Sequence, residues 1–335
     1  TRAEIGVLLA YAKLVHFNEL VATEVPDEAH FETDLLAYFP KAMRERYTDE
    51  IRSHRLRREI IATVLINDIV NRGGATFISQ LQDMTGRSTG EIVEAYTIIK
   101  DGFGLPELYA RIDALDTKVD GQLQLSLYER VRKLVVNGTS WQLKQGKKGL
   151  PLDQRISRLR GAVKELEPIL QDRQPDDLRN RTESAAAEMV EAGVPLDLAR
   201  KLALLDALAL IPDICLAADV AQADLLATAK AYVTVSEAFQ LGKIEAAAET
   251  IARTDYYDEL ALVRSLDLID TARRNITVAA LEAYRGDEDP AAAWLSEGGE
   301  RVERVIRDLA SLTGSGDITL SRLNVAAGLM VDMTG

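Results

Sequence analysis

The residues of this chain that are best suited to polar chemistry lie close together between His54 and Phe77. This run begins with arginines, continues through an apolar stretch and ends at a double glycine. Clustered guanidinium groups can bind phosphates or carboxylates through paired hydrogen bonds. The candidate contact residues of the run are Arg55, Arg57, Arg58, Asn67, Asp68 and Asn71.

The arginines of this run allow three interpretations. They can pair with carboxylates of a neighbouring domain, they can hold a bound phosphate, or they can form a solvated helix face with local pairs such as Arg55 with Glu59. We predict the first, an interdomain contact, and leave the other two open.

Asn67, Asp68 and Asn71 are unusual inside an apolar helical run, because their side chains favour caps and turns over helix interiors. A structural hydrogen-bond network with another element explains them best, and a ligand site is the alternative. For Asp68 we predict an ion pair with Arg58 or Arg72, partly removed from water.

The spacing of apolar residues shows which elements must position these groups. Between positions 56 and 69 the apolar side chains recur every three or four residues, which predicts one face of a helix. The predicted helix extends over 41–72 and ends at Gly73 and Gly74, where the backbone is free to turn. Hydrophobic residues make up 47% of the 335 residues and aromatic residues only 5%. With no alternating β-branched runs, this composition predicts an all-α protein.

A change of charge divides the chain near the glycine-flanked segment 145–151. Residues 1–150 hold 20 Lys and Arg against 21 Asp and Glu, whereas residues 151–335 hold 20 against 32. We therefore predict two helical subdomains, residues 1–147 and residues 148–335. The acidic second part disfavours nucleic acid and anionic membranes as partners.

Residues for catalysis, cofactor binding or metal binding do not stand out. His16, His30 and His54 are scattered, and Cys215 is the single cysteine. We predict surface or interface positions for the histidines, a core position for Cys215, and no metal or cofactor site. Without a secretory leader or a bilayer-length apolar run, the expected location is the cytoplasm.

Several ordered stretches carry a family resemblance. They are TRAEIGVLLAYAK at residues 1–13, YFP at residues 38–40, the run from His54 to Phe77, and the ALD and Trp141 neighbourhoods that follow. Together they resemble the C-terminal region of the large bacterial type of NAD-specific glutamate dehydrogenase.

The resemblance implies a non-catalytic piece of a longer enzyme, and the start at Thr1 without a methionine agrees with that expectation. The parent enzyme would oxidise glutamate with NAD to 2-oxoglutarate and ammonia, and this piece alone would neither bind NAD nor catalyse the reaction. Its expected partners are the catalytic domains of the same polypeptide, with further copies in a homo-oligomer as an additional option.

One alternative belongs to another class of protein: a self-standing helical scaffold or adaptor that binds protein partners through exposed helix faces. The reading frame immediately upstream of Thr1 distinguishes the two. A dinucleotide-binding segment there supports the dehydrogenase, and a start codon supports the adaptor.

Overall fold

The structure, a computed structural model, describes residues 1–146, 149–172, 176–314 and 318–334, with the side chains of residues 176 and 177 left out. Every extended regular element within these residues is an α-helix, with two short 3-10 turns at Val25–Asp27 and Ala29–Phe31. The prediction of an all-α protein is confirmed.

The helices follow one another through short connections. The first nine are α1 (Arg2–Val21), α2 (Glu32–Tyr38), α3 (Lys41–Arg46), α4 (Thr48–Arg52), α5 (Arg57–Gly73), α6 (Phe77–Thr85), α7 (Thr89–Gly102), α8 (Leu105–Asp113) and α9 (Gly121–Gln145). The others are α10 (Leu152–Asp172), α11 (Asp176–Glu191), α12 (Leu196–Ala203), α13 (Leu205–Leu208), α14 (Ile211–Ala221), α15 (Leu225–Ala238), α16 (Leu241–Glu249), α17 (Tyr256–Ala283), α18 (Pro290–Glu297), α19 (Gly299–Gly314) and α20 (Leu320–Asp332).

The chain forms two compact units that are interleaved in sequence. Unit 1 consists of Thr1–Val163 and Met189–Ala209, and unit 2 consists of Lys164–Glu188 and Leu210–Gly335. Helices α10 and α11 therefore contribute residues to both units. The predicted subdomains 1–147 and 148–335 stay a prediction, and Lys147 and Lys148 of the proposed linker lie outside the described residues.

Unit 1 is built around α5 and α7. Helix α5 buries Ile61, Leu65 and Ile69 on one side and packs against α1 and α2. Helix α7 packs against α9 at close range, since a Cβ added to Gly138 would lie 3.1 Å from the Ile99 side chain. Helix α9 buries a stripe formed by Leu127, Val131, Leu134 and Val135.

The predicted helix 41–72 is wrong in its first half, where the structure has α3, α4 and α5 instead. Tyr47, with φ −129° and ψ 38°, separates α3 from α4, and Ser53 caps the end of α4. The Ser53 hydroxyl donates to the Asp49 carbonyl over 2.8 Å, which satisfies a carbonyl at the helix end. Apolar spacing shows which face is buried, but it does not show such local breaks.

The end of α5 agrees with the prediction. Gly74 has φ +101°, a conformation that side-chain-bearing residues rarely adopt. Gly73 is needed for a different reason, because a Cβ there would lie 2.7 Å from the Phe77 ring. Gly74 therefore allows α5 to end, and Gly73 leaves room for the Phe77 ring at the start of α6.

Unit 2 is centred on α17, the longest helix of the described residues. Helices α14, α15, α18 and α20 pack around it, and its buried residues include Ile269, Ala272, Ile276 and Ala280. The small residues Ala272 and Ala280 let the neighbouring helices approach closely. The low content of aromatic residues is thus consistent with a core in which small side chains allow the helices to pack closely.

The apolar run from Leu202 to Ile211 is divided among α12, α13 and the first residue of α14. Pro212 in the first turn of α14 has no N–H for a continuous helix, so a new helix begins there. This apolar run packs into the core, since Leu202, Leu205 and Leu208 are buried.

Candidate functional site

Two of the candidate arginines hold the start of α5 to the end of α1. Arg58 forms an ion pair with Asp27, and its Nη2 donates to the carbonyls of Val21 and Thr23 at 2.9 and 2.7 Å. Arg57 Nη1 lies 3.7 Å from the same Asp27 carboxylate. These bonds satisfy carbonyls that α1 leaves unpaired at its C-terminus. Both arginine side chains remain about one third exposed.

Arg55 occupies a different position. It precedes α5 in the turn after α4, and its side chain is exposed. The structure thus brings Arg57 and Arg58 together at Asp27 and leaves Arg55 on the surface. The role of the three arginines as an interdomain contact stays a prediction.

Asp68 faces α7 and is bonded to two of its residues. The Tyr96 hydroxyl donates to Asp68 Oδ2 over 2.9 Å, and Lys100 Nζ lies 3.5 Å from the same oxygen. The predicted pairing of Asp68 with Arg58 or Arg72 is therefore wrong. Arg72 is drawn away because its guanidinium stacks 4.0 Å from the centre of the Tyr109 ring.

Lys100 is the centre of this network. Its side chain is only 12% exposed, and Asp101 Oδ1 lies 4.0 Å from Nζ in addition to Asp68. Burial by itself would lower the pKa of Lys100, but the carboxylates of Asp68, Asp101 and Asp34 outweigh it and raise the pKa. Burial also raises the pKa of Asp34, against the positive charge of Lys100. A charged lysine thus holds α2, α5 and α7 together.

His30 extends the network to α10. Its Nε2 lies 2.8 Å from Asp101 Oδ2 and its Nδ1 lies 2.6 Å from Asp153 Oδ1. Only the imidazolium can donate to both carboxylates, because a neutral ring has one donor. The hydrogen bond to Asp101, followed by that to Asp153, raises the pKa of His30 against the opposing effect of burial.

The sequence predicted a surface or interface position for His30, but it did not predict that two carboxylates would bind the ring. Its two partners lie 71 and 123 residues away, so no local spacing could indicate them. Arg160 adds a second link by donating from Nη2 to the Asp101 carbonyl at 2.9 Å. Together these bonds fasten the first turns of α10 to α7.

This geometry predicts a pH dependence of stability. Because the folded pKa of His30 is raised, its contribution is complete below about pH 6.5, the unfolded value, and is lost as the pH rises through the folded value. Urea unfolding of wild type should therefore show a falling free energy from pH 6 to pH 8.5. At pH 6, His30→Gln should lower the free energy of unfolding by about 1.5 kcal/mol. This value is at the lower end of the range for hydrogen bonds to charged groups, because Asp153 is largely exposed.

The matched control for that experiment is His54→Gln, since the His54 ring accepts a bond from the Leu56 N–H and pairs with no carboxylate in the described residues. Wild type and the control should show the same pH profile, and His30→Gln should flatten it. Parallel profiles for wild type and His30→Gln would contradict the assignment.

The last candidate residues lie near the end of α5. Asn67 is partly buried, and Asn71 is exposed and accepts a bond from Lys13 Nζ over 3.0 Å. Beside Asn71 an open cleft of about 540 Å³ separates α5 from α9. The residues that line it are Asn71, Arg72, Gly74, Gln122, Leu125, Ser126, Tyr128, Glu129 and Arg132. The lining includes Arg72, Tyr128 and Arg132, and arginine and tyrosine are residue types that are enriched at protein–protein interfaces.

Unit 2 contains a second polar cluster that sequence reasoning did not find. Arg274 forms an ion pair with Asp213, and the Tyr232 hydroxyl donates to the other Asp213 oxygen over 2.9 Å. Arg273 is buried beside them and bonds Glu245 Oε1 at 3.0 Å as well as Asp270. Asp213, Tyr232, Arg273 and Arg274 lie in the packed interior of unit 2, and the partly exposed Glu245 and Asp270 neutralise the charge of Arg273 from its edge.

Among the helices of the described residues, none is both long and apolar enough to cross a lipid bilayer.

The chain matches known proteins along its whole length. A family model described as glutamate dehydrogenase, C-terminal, matches residues 1–332. NAD-specific glutamate dehydrogenases from Pseudomonas aeruginosa and Mycobacterium tuberculosis are 30% and 32% identical over 99% and 100% of the chain. That of Halomonas elongata is 36% identical over 61% of the chain and 12% of its own length.

The matched region is a small part of these relatives. The chain covers 21% of the Pseudomonas aeruginosa protein and 21% of the Mycobacterium tuberculosis protein, so it spans about one fifth of their length. The family description assigns the matched region to the C-terminal part of such enzymes. The match over residues 1–332 shows that the chain belongs to the family described as glutamate dehydrogenase, C-terminal.

Proposed function

We propose that this chain is the non-catalytic C-terminal domain of an NAD-specific glutamate dehydrogenase and supports the catalytic domains by packing against them. The match of nearly all of the chain to one fifth of such enzymes carries this proposal. The parent reaction is oxidation of glutamate by NAD to 2-oxoglutarate and ammonia, in the cytoplasm. NAD and glutamate bind to domains outside this chain.

The polar surface of unit 1 supports a packing role. Asp27 holds both Arg57 and Arg58, and the carbonyls of Val21 and Thr23 also hold Arg58, yet both side chains stay about one third exposed to a second partner. Held groups lose little conformational freedom when they bind. Arg55 and Asn71 lie exposed at opposite ends of α5, so both ends of this helix offer polar contacts.

Deletion of residues 1–335 from the full-length enzyme tests the proposal. We expect the rate of NAD reduction with glutamate to fall by on the order of 10²-fold, because displacement of positioned catalytic groups by about 1 Å costs that much. Thermal inactivation should also be faster. A truncated enzyme with the wild-type rate and thermal stability would contradict the proposal.

The predicted interdomain contact of the arginines is tested by substitution in the same assays. Arg55→Ala combined with Arg57→Ala should lower the thermal stability of the full-length enzyme more than that of the 335-residue chain, where exposed pairs contribute about 0–1 kcal/mol each. Arg130→Ala, at an exposed position of α9, is the matched control. Equal losses in enzyme and chain would assign these arginines to the domain itself.

A further inference from the structure

The first half of α1 exposes apolar side chains to an unusual degree. Val7, Tyr11 and Leu14 are 71%, 65% and 59% exposed. From Ile5 to Ala12 the helix has no charged residue. A surface helix of a soluble protein normally turns a polar face to water, and one that is apolar all round is normally buried.

The exposed residues form a stripe opposite the face that α1 already buries. Successive residues of a helix are rotated by about 100°. The buried residues Ala12, His16 and Leu20 recur every four positions. Val7, Tyr11 and Leu14 are spaced by four and three, and their common direction lies about half a turn from that of the buried set. Unit 1 covers the inner face of α1 only from Ala12 onward, and Ile5 and Leu8 ahead of it are 59% and 47% exposed, so the outer apolar stripe has no cover from unit 1.

We propose that this outer stripe of α1, formed by Val7, Tyr11 and Leu14, is the surface on which the catalytic part of the same polypeptide docks. This inference rests on the proposed function. In the relatives, the matched region is C-terminal and about four fifths of the length lies outside it. Helix α1 opens that region, so it is the element nearest in sequence to the remaining part.

The chemistry of the stripe identifies the kind of surface that it binds. Without charged neighbours between Ile5 and Ala12, the stripe matches an apolar protein surface. An anionic membrane surface would require a face rich in lysine and arginine, and α1 has only Arg2 and Lys13. The partner surface is thus an apolar groove or helix face of the catalytic part.

Hydrogen exchange at residues 2–14 tests the inference directly. In the 335-residue chain these amides should exchange rapidly, and in the full-length enzyme they should be protected. Equal protection in the two would overturn the inference. Protection that rises with concentration in the 335-residue chain would overturn it as well, because it would identify a second copy as the occupant.

Substitution provides the second measurement. Val7→Ser combined with Tyr11→Ser should speed thermal inactivation of the full-length enzyme at least about tenfold, because each buried apolar side chain is worth at least that factor. The helix content of the 335-residue chain should stay unchanged. The matched control is Tyr256→Ser with Tyr257→Ser, a comparably exposed pair in unit 2, which should leave inactivation unchanged.

The outcomes separate this inference from the proposed function. If the α1 variant behaves like wild type while deletion of residues 1–335 impairs the enzyme, the docking surface is elsewhere and the proposed function stands. If that deletion has no effect, the proposed function itself fails.

Discussion

Replacing Asp213 with alanine is expected to destabilise unit 2 by about 3–5 kcal/mol, the cost of removing one partner of a buried ion pair. Arg274 would remain in the interior without its carboxylate, and the Tyr232 hydroxyl would lose its acceptor. Burial raises the pKa of Tyr232 well above its usual value, so its hydroxyl cannot compensate by ionising.

The two tryptophans allow this loss to be measured in one unit. Trp141 lies in unit 1 and Trp294 in unit 2, so a Trp141→Phe background leaves Trp294 fluorescence as a reporter of unit 2. The control is Glu259→Ala, which breaks the exposed pair of Arg253 and Glu259, 3.2 Å apart. This change should cost less than about 1 kcal/mol. Equal shifts of the urea midpoint for the two variants would refute a buried pair.

Lys100→Met is expected to destabilise unit 1 by about 3 kcal/mol, because it leaves carboxylates partly buried without their cation. Asp68 and Asp101 would lose the ammonium at 3.5 and 4.0 Å. Lowering the pH toward about 4 should narrow the difference from wild type, because the nearby Asp34, whose pKa is raised by burial, then takes up a proton and no longer needs a cation. Trp141 in a Trp294→Phe background reports the unfolding of unit 1.

An exposed lysine of the same unit is the control for that experiment. Lys133 Nζ lies 3.0 Å from Asp206 Oδ1, with side chains that are 44% and 57% exposed. Lys133→Met should therefore change the free energy of unfolding by less than about 1 kcal/mol. If both lysine variants unfold at the same urea concentration, Lys100 is not the centre of a buried network.

The features that follow from neighbouring residues could be predicted from the sequence. Thr1 caps α1 together with Glu4, and Asp224 caps α15 by accepting from the Ala227 N–H over 3.0 Å. The buried stripe of α9 follows from helical spacing in the same way. In each case the partners lie within one or two turns, so the spacing contains the information.

The networks that join distant helices could not be predicted in this way. Asp213 lies in the first turn of α14, where acidic residues are favoured, but its partner Arg274 is 61 residues away. His30 is joined to Asp153 over 123 residues. A single sequence shows which residues can ionise, and the tertiary fold decides which of them meet.

The interleaving of the two units has a consequence for protein synthesis. A ribosome releases the chain from its N-terminus, and domains generally fold as units as they emerge. Unit 1 needs Met189–Ala209 for contacts such as that of Arg111 with Asp197, 2.6 Å apart. Residues 164–188 of unit 2 therefore leave the ribosome before unit 1 is complete at residue 209, and they must wait for residues 210–335 before they can pack into their own unit.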